Sequence, residues 1–586
     1  MKKIIKYIFL YIICFIFSSV ICFNLVNMIN NMKLLWSFNL YNSLKFLSNH
    51  SSFYGTFLLS FLFILFIIKY DRDIKLKSKN KNEMPSEDGS YEYGSSRFST
   101  EKEIKKKFKV WDVNKPISKG GIPVTFIRDK VYYDDSTDHT LIIGSTGSGK
   151  SISLIMPLIF NLASAGESMV INDVKGELYS TTADYLKKHD YDIKIINLRD
   201  ALTSDGWNPL HLPYKYFKEG NIDEAGDMIE NFAKSLTKNL SSKDMYWEKS
   251  ANAVLVALCY ALFEDAQCED EVNLYSIYNL LVEHGGKMID RSNSLDLYFQ
   301  QKPMGSLSKM SYATGSFAKG ETRATLFSVL ATVIKMFSDT GIANMTSRTD
   351  FELDDIGRKK TAVFLIIPDE KESRHELVTL FIHQCYQACV YMAQSLPTGK
   401  LPVRVNYVLD EFSSYYISSM PNKITVSRSR NIRFYLTIQD FHLLKDTYKE
   451  SAGTIKSNCG NWIYLLTSDN DTAKEISTRI GKYTISSSRV STSTRLEQLD
   501  YHLSNDKSLL GRDLVMPEEL MRLKLGEGLF LKTRLYPIKS KLKTIDEYGI
   551  KYTKIDLPKE KKEFKIQCFD LNEYRKRKSD NLIDLE

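Results

Sequence analysis

The sequence predicts an α/β protein whose core is a mostly parallel β-sheet, with an all-α insertion and two N-terminal membrane-spanning helices. Three features of the 586 residues carry that reading. Near-continuous apolar runs, at residues 361–367 and 403–409 for example, alternate with helical stretches such as 376–394; strands buried on both faces of a parallel sheet read this way. Between residues 214 and 350 those runs give way to apolar residues at helical spacing. Two long apolar runs open the chain.

The first of these, residues 7–26, has only Ser18, Ser19 and Asn24 as polar residues and is long enough to cross a hydrocarbon core of ~30 Å. The second, residues 51–68, is slightly shorter. No small-residue cleavage site follows the first run, and Ile21 before Cys22 is large for a lipoprotein site, so it reads as a retained span. Lys2, Lys3 and Lys6 precede the first run, and Lys69, Arg72, Lys75, Lys77, Lys79 and Lys81 follow the second. The connecting loop holds only Lys33 and Lys45. By the positive-inside tendency residues 1–70 form a cell-membrane anchor, with both termini and the bulk of the chain in the cytoplasm.

Residues 71–213 read as a linker followed by the first part of a nucleotide-binding domain. Residues 70–90 are rich in Lys, Asn and Ser, as linkers are. The charged stretch at 101–107 reads as a solvated helix face, with contact to anionic lipid as the alternative. Then Gly144, Ser145, Thr146, Gly147, Ser148, Gly149, Lys150 and Ser151 fit G-x-x-x-x-G-K-[ST], after the apolar run Leu141, Ile142, Ile143 and before a helical pattern. Glycines let successive N–H groups turn inward toward a phosphate, and the helix that follows favours anions at its N-terminus. Lys150 would reach the β- and γ-phosphates of ATP, and the Ser151 hydroxyl would ligate Mg2+.

Such a loop needs acids at the end of a nearby strand. The run at 403–409 ends in Asp410 and Glu411. Asp410 is placed to hold the metal through its water shell, and Glu411 to polarise the attacking water. Strand patterns also occur at 169–173, 193–198, 433–438, 462–466 and 528–531. The nucleotide-binding domain therefore resumes over residues 351–545, after the all-α domain at 214–350. Residues 546–586 form a charged tail containing Arg575, Lys576, Arg577 and Lys578; it reads as solvated disorder, with nucleic-acid or lipid contact as the alternative.

The net charge of +8 is mild for 79 basic and 71 acidic residues and argues for no polyanion partner by itself. The eight cysteines form no C-x-x-C pair and no zinc spacing, so they read as reduced packing residues in a cytosolic body.

An ordered series of motifs then resembles a family. It comprises Tyr93-Gly94-Ser95-Ser96-Arg97-Phe98, the glycine loop, Asp173-Val174-Lys175-Gly176-Glu177-Leu178, Trp207-Asn208-Pro209-Leu210 and Tyr246-Trp247. Leu409-Asp410-Glu411-Phe412, Ser427-Arg428-Ser429-Arg430, Thr437-Ile438-Gln439 and Asn458-Cys459 follow. Together, over residues 90–540, they resemble the VirD4/TraG coupling ATPases of conjugation and type IV secretion. The resemblance implies a RecA-like P-loop NTPase domain, an all-α domain facing the cytosol and a hexameric ring beneath a secretion channel. The implied cargo is a relaxase bound to single-stranded DNA, or an effector protein. Ser96 and Phe98 depart mildly from the alanine and tryptophan usual in the family's first motif.

Further roles follow. Gln439, at the end of the strand after Asp410's, could sense the γ-phosphate or simply end the strand. Arg428 or Arg430 could reach a ring neighbour's nucleotide, or form a solvated basic turn. Asp173, Lys175 and Glu177 read from chemistry alone as a charged turn; the family implies a border of the nucleotide site or of a subunit interface. The leading function is an ATP-driven coupling protein. A substrate-docking receptor without motor activity and an FtsK-type DNA translocase are the competing readings, and a protein-only exporter has the same motor residues.

Overall fold

The computed structural model describes residues 2–31, 39–49, 52–62, 64–65, 69, 86–87, 91–237, 245–289, 292–315, 321–368, 374–492, 503–563 and 565–583. They fall into two compact units: residues 1–95 with 483–512, and residues 96–482 with 513–586. Residues 483–512 thus leave the stretch expected to complete the nucleotide-binding domain.

In the first unit, α1 (Lys2–Asn31) contains the apolar stretch Tyr11–Asn30, of mean hydropathy 2.3. Two of its polar side chains are satisfied locally, Ser19 on the Ile16 carbonyl at 2.7 Å and Asn24 on that of Val20 at 2.8 Å, the arrangement that suits polar groups in lipid. Among the described residues this is the one helix long and apolar enough to cross a membrane by itself. The expected second span appears as the shorter apolar helix Ser52–Leu62, and residues 63 and 66–68 of that run lie outside the described residues. Two spans are therefore not established by the fold. The unit also holds a three-stranded sheet in the order Ser86–Glu87, Lys482–Thr492, Leu503–Asp513, which the sequence pattern did not predict.

The second unit is built on a nine-stranded sheet. Its strands are β1 (Thr140–Gly144), β2 (Ser168–Asp173), β3 (Asp192–Asn197), β4 (Thr361–Ile366), β5 (Val405–Leu409), β6 (Ile432–Ile438), β7 (Asn461–Leu466), β8 (Glu527–Lys532) and β9 (Ile538–Lys541). The spatial order is β9-β8-β7-β1-β6-β5-β2-β4-β3. From β7 to β3 all neighbours are parallel; β8 and β9 add an antiparallel edge, so the sheet is mixed.

The apolar runs are continuous because alternate residues feed two cores. On β1, Ile142 enters a core with α2 (Met156–Ser164), α3 (Glu177–Lys188) and a small antiparallel sheet at 109–134. Leu141 and Ile143 enter a second core, with α4 (His375–Ser395) and a run of helices between His211 and Thr346. β6 divides in the same way, Tyr435 to the first core and Phe434, Leu436 and Ile438 to the second. Each fully buried large apolar side chain is worth about 1.5–3 kcal/mol.

The helical run connects β3 to β4, neighbours in the sheet. Among its described residues the only strands are the short pair Met288–Ile289 and Ser292–Asn293. Its helix Met245–Asp265 is buried on nearly all sides from Val254 to Phe263.

At the amino ends of the parallel strands lies a buried ionic cluster. Arg433, 2% exposed, donates to Glu167 Oε2 at 3.0 Å, to Asn406 Oδ1 at 2.9 Å and to the Ser136 carbonyl at 2.7 Å. Arg404 lies 3.3 Å from the other oxygen of Glu167. A buried cation survives there because every part of its guanidinium finds an acceptor.

The charged tail is not a solvated coil. Residues 550–563 and 565–570 have no regular secondary structure, yet they run docked along the rest of the second unit. Ile555 N–H donates to the Ser180 carbonyl at 3.0 Å, and Lys562 N–H to that of Leu202 at 2.8 Å. Lys562 Nζ lies 2.6 Å from Asp205, Asn273 donates to the Gln567 carbonyl at 2.9 Å, and Phe569 N–H to Ser276 Oγ at 3.0 Å. Phe569 and Leu571 are buried, and α5 (Leu571–Ile583) follows, its Arg575 bonded to the Ser294 carbonyl at 2.8 Å. A few apolar residues at irregular spacing, backbone hydrogen bonds and the Lys562 and Arg575 side chains do the docking while most other charges face water, so average composition hides it.

Candidate functional site

The carboxyl ends of the parallel strands converge on one edge of the sheet, where ligands of open α/β sheets bind. After β1 the chain turns sharply: Gly147 and Gly149 have φ of +81° and +82°, a region costly for other residues. At Gly144 a Cβ would come within 2.6 Å of Ser148 Oγ and 2.9 Å of Lys150 Cγ. The loop is fixed by Ser145 N–H, which donates to the Leu466 carbonyl at the end of β7 at 2.8 Å, and by Ser148 N–H, which donates to Ser145 at 3.1 Å. Ser151 opens a π-helical turn, Ser151–Ile155, that runs into α2.

Opposite stands the end of β5. Glu411 adopts a left-handed backbone, φ +50°, a conformation that costs on the order of 1–3 kcal/mol for a non-glycine residue. Its N–H donates to Asp410 Oδ1 at 3.0 Å. The Asp410 carbonyl accepts from Asn172 Nδ2 at 2.8 Å and from the Tyr415 hydroxyl at 3.1 Å. Asn172 and Tyr415 thereby hold the strained turn.

At the end of β2, Asp173 is 1% exposed and caps the start of α3, its two oxygens accepting from Gly176 and Tyr179 N–H, each at 2.8 Å. Burial raises its carboxyl to about 6 against those hydrogen bonds. Burial also raises Asp410 to about 6; the Lys150 charge opposes the rise, and Glu411 and Asp173 reinforce it. Two desolvated acids of elevated pKa beside a lysine, Asp173 buried and Asp410 half-buried, suit a cation, whose charge would hold both ionised.

These groups line a cleft of about 280 Å³. Its walls are Ser145, Thr146, Gly147, Gly149, Lys150, Ser151 and Ile152 from the loop, the turn Asp173 to Leu178 (without Gly176), then Asp410, Glu411 and Leu525. Lys150, 8% exposed, makes no salt bridge among the described residues, and Ser148 Oγ is buried without a partner. The donor set and the Lys150 ammonium, left without a carboxylate partner among the described residues, fit a triphosphate with its metal.

The other candidates lie elsewhere. Gly144 and Ser148 shape the loop from behind the lining. Gln439 follows Ile438, which pairs with Ile143 of β1, on a strand that also pairs with β5; it stands between the loop and the acids but is not part of the cleft wall. Arg428 and Arg430 form the turn Ser427–Arg430 that enters β6 from its amino end, roughly 20 Å of extended chain from the cleft. Arg428 pairs there with Asp138 at 2.8 Å. Asp173, Lys175 and Glu177 border the cleft. Asn172, Tyr415 and Leu525 were not singled out in the sequence, since nothing local marks them and each acts through a contact distant along the chain.

The family model described as "Type IV secretory system Conjugative DNA transfer" matches residues 92–545. The conjugal transfer protein TraG of Escherichia coli is 26% identical over 408 residues, 66% of this chain and 62% of TraG. Protein VirD4 of Rhizobium radiobacter is 24% identical over 390 residues, 65% of this chain and 53% of VirD4. The chain thus spans less than two thirds of these relatives' length. The plasmid coupling protein TrwB, solved with the ATP analogue ADPNP, shares the fold at a TM-score of 0.56 and 15% identity, covering 80% of this chain and 98% of TrwB. TrwB has also been solved with ADP and Mg2+, at a TM-score of 0.53.

Proposed function

This chain belongs to the type IV secretory conjugative DNA-transfer family, and from that premise we propose that it is a membrane-anchored, ATP-driven coupling protein. It recruits a relaxase bound to single-stranded DNA, or an effector protein, and delivers it to the components of a type IV secretion channel. The observation that carries the reading is the meeting of Lys150 and Ser151 with Asp410 and Glu411 in one cleft. The bound states of TrwB support ATP and Mg2+ as its ligands.

In this reading the loop N–H groups and Lys150 bind the phosphates, while Ser151 and Asp410 hold the metal. Bound Mg2+ would supply Lewis-acid neutralisation of phosphate charge. Glu411 orients water and takes its proton. Gln439, between the β1 loop and the β5 acids, transmits the state of the γ-phosphate along a RecA-like sheet. Because Arg428 and Arg430 lie at the far ends of the strands, either one acts on a neighbour's cleft, in a hexameric ring. Two spans, residues 7–26 and 51–68, anchor the ring with both termini in the cytoplasm. The accompanying division is an anchor at 1–70, nucleotide-binding segments at 71–213 and 351–545, an all-α domain at 214–350 and a C-terminal segment at 546–586.

Lys150→Ala and Glu411→Gln in the full-length chain test it. Both should abolish ATP hydrolysis and cargo transfer while the protein still partitions into the membrane. Wild-type transfer by either variant would remove the motor role.

A further inference from the structure

Phosphate binding leaves one feature of the cleft unused. Most of the lining is polar or glycine, but two large apolar side chains stand exposed on it: Ile152, 39% exposed, one residue past Ser151, and Leu525, 64% exposed. Leu525 comes from far along the chain, in the turn before β8, and is held firmly. Glu527 N–H donates to the Lys524 carbonyl at 2.9 Å, and the Glu527 carboxylate accepts Lys524 N–H at 3.2 Å. On its other side the Gly526 carbonyl accepts Leu542 N–H at 2.7 Å. Gly526 has φ of +81°, and a Cβ there would lie 2.8 Å from the Leu542 carbonyl oxygen. Pinned on both sides, Leu525 lies against the phosphate loop: a Cβ on Gly149 would come within 2.6 Å of its Cδ1.

A leucine held out in water at a binding cleft gains when something apolar covers it. A triphosphate offers no such surface; the nucleoside joined to it does. We propose that Leu525, together with Ile152, seats the nucleoside of the bound nucleotide by apolar contact with its base and sugar. Leu525 is thereby a binding residue contributed by the antiparallel edge of the sheet to a site otherwise made from the parallel strands. The inference rests on the nucleotide reading above, and the following experiment separates the two.

Full-length wild-type, Leu525→Ala and Leu525→Met proteins in detergent micelles are titrated with a fluorescent ATP analogue. The analogue is then displaced by ATP, by ADP or by inorganic tripolyphosphate, which has the phosphates and no nucleoside. Leu525→Ala should weaken ATP and ADP about tenfold, equivalent to about 1.4 kcal/mol, and leave tripolyphosphate at its wild-type affinity. Leu525→Met should restore the nucleotides. Equal weakening of tripolyphosphate would show that Leu525 only props the loop, and undiminished ATP affinity would show that it touches no ligand; either overturns the proposal. Wild-type protein from which neither ATP nor tripolyphosphate displaces the probe would instead overturn the nucleotide reading itself.

Discussion

Replacing Asp410 by Asn should make the protein more stable and inactive at once. Burial and the charges of Glu411 and Asp173 outweigh Lys150 and raise its carboxyl from 3.8 to about 6. At 1.36 kcal/mol per pKa unit, the folded state at neutral pH bears on the order of 3 kcal/mol for keeping that carboxylate ionised. Asn removes the charge and keeps an oxygen for the Glu411 N–H. Part of the gain is lost because the added NH2 needs partners, leaving roughly 1–3 kcal/mol. The sign follows from linkage: a carboxyl whose folded pKa is raised holds its proton more tightly when folded, so its destabilisation is absent below the unfolded pKa near 4. It grows through the window between about 4 and 6, and is complete above 6. Thermal unfolding of full-length wild-type and Asp410→Asn proteins, without nucleotide, should show a higher Tm for the variant at pH 7.5, an advantage that falls to zero or reverses toward pH 4, where only the cost of the NH2 is left. ATP hydrolysis should be lost at every pH. A variant less stable than wild type at pH 7.5, or a difference independent of pH, would refute the account of Asp410 as a desolvated, electrostatically crowded acid.

Three further outcomes are expected. If Arg428 or Arg430 acts across a subunit boundary, the arginine-to-Ala variant and Lys150→Ala are each inactive alone but recover part of the ATPase rate when mixed, since some interfaces join an intact loop to an intact arginine. Glu167→Gln strips charge from the partner of both Arg433 and Arg404 and should destabilise by about 3–5 kcal/mol, seen as a lowered Tm with nucleotide affinity unchanged in the surviving folded protein. Phe569→Ala empties a buried site on the helical run and should cost about 3–5 kcal/mol locally; limited proteolysis should then cut residues 550–570 faster than in wild type.

The chemistry of the cleft was legible where it is local. Gly144 to Ser151 declare themselves because turn geometry, phosphate binding and helix start all fall within eight consecutive residues, and Asp410 and Glu411 because they cap an apolar run. Strand order was not legible. That β6 lies between β1 and β5 depends on pairings between segments far apart in the chain, which no local period encodes. Arg433 was hidden for a related reason: within an apolar strand it reads as a surface residue, and only the arrival of Glu167, Asn406 and Ser136 from other segments makes its burial tolerable. Leu525 and Phe569 sit in polar surroundings and take their roles from what they touch.

The docked C-terminal segment alters how the helical run between β3 and β4 can move. Its two roots enter the sheet at adjacent strands, an arrangement that alone would form a hinge and let the helices swing like a door on one pin. Residues 555–563 and 565–569 add further attachment, from Ser180 on α3 to Ser276 on the helices. A body held away from its hinge as well as at it loses its free swing and responds to a displaced support by tilting as a whole. Leu557, which lies against Gly176 in the turn whose neighbouring residues wall the cleft, is where such a displacement would begin.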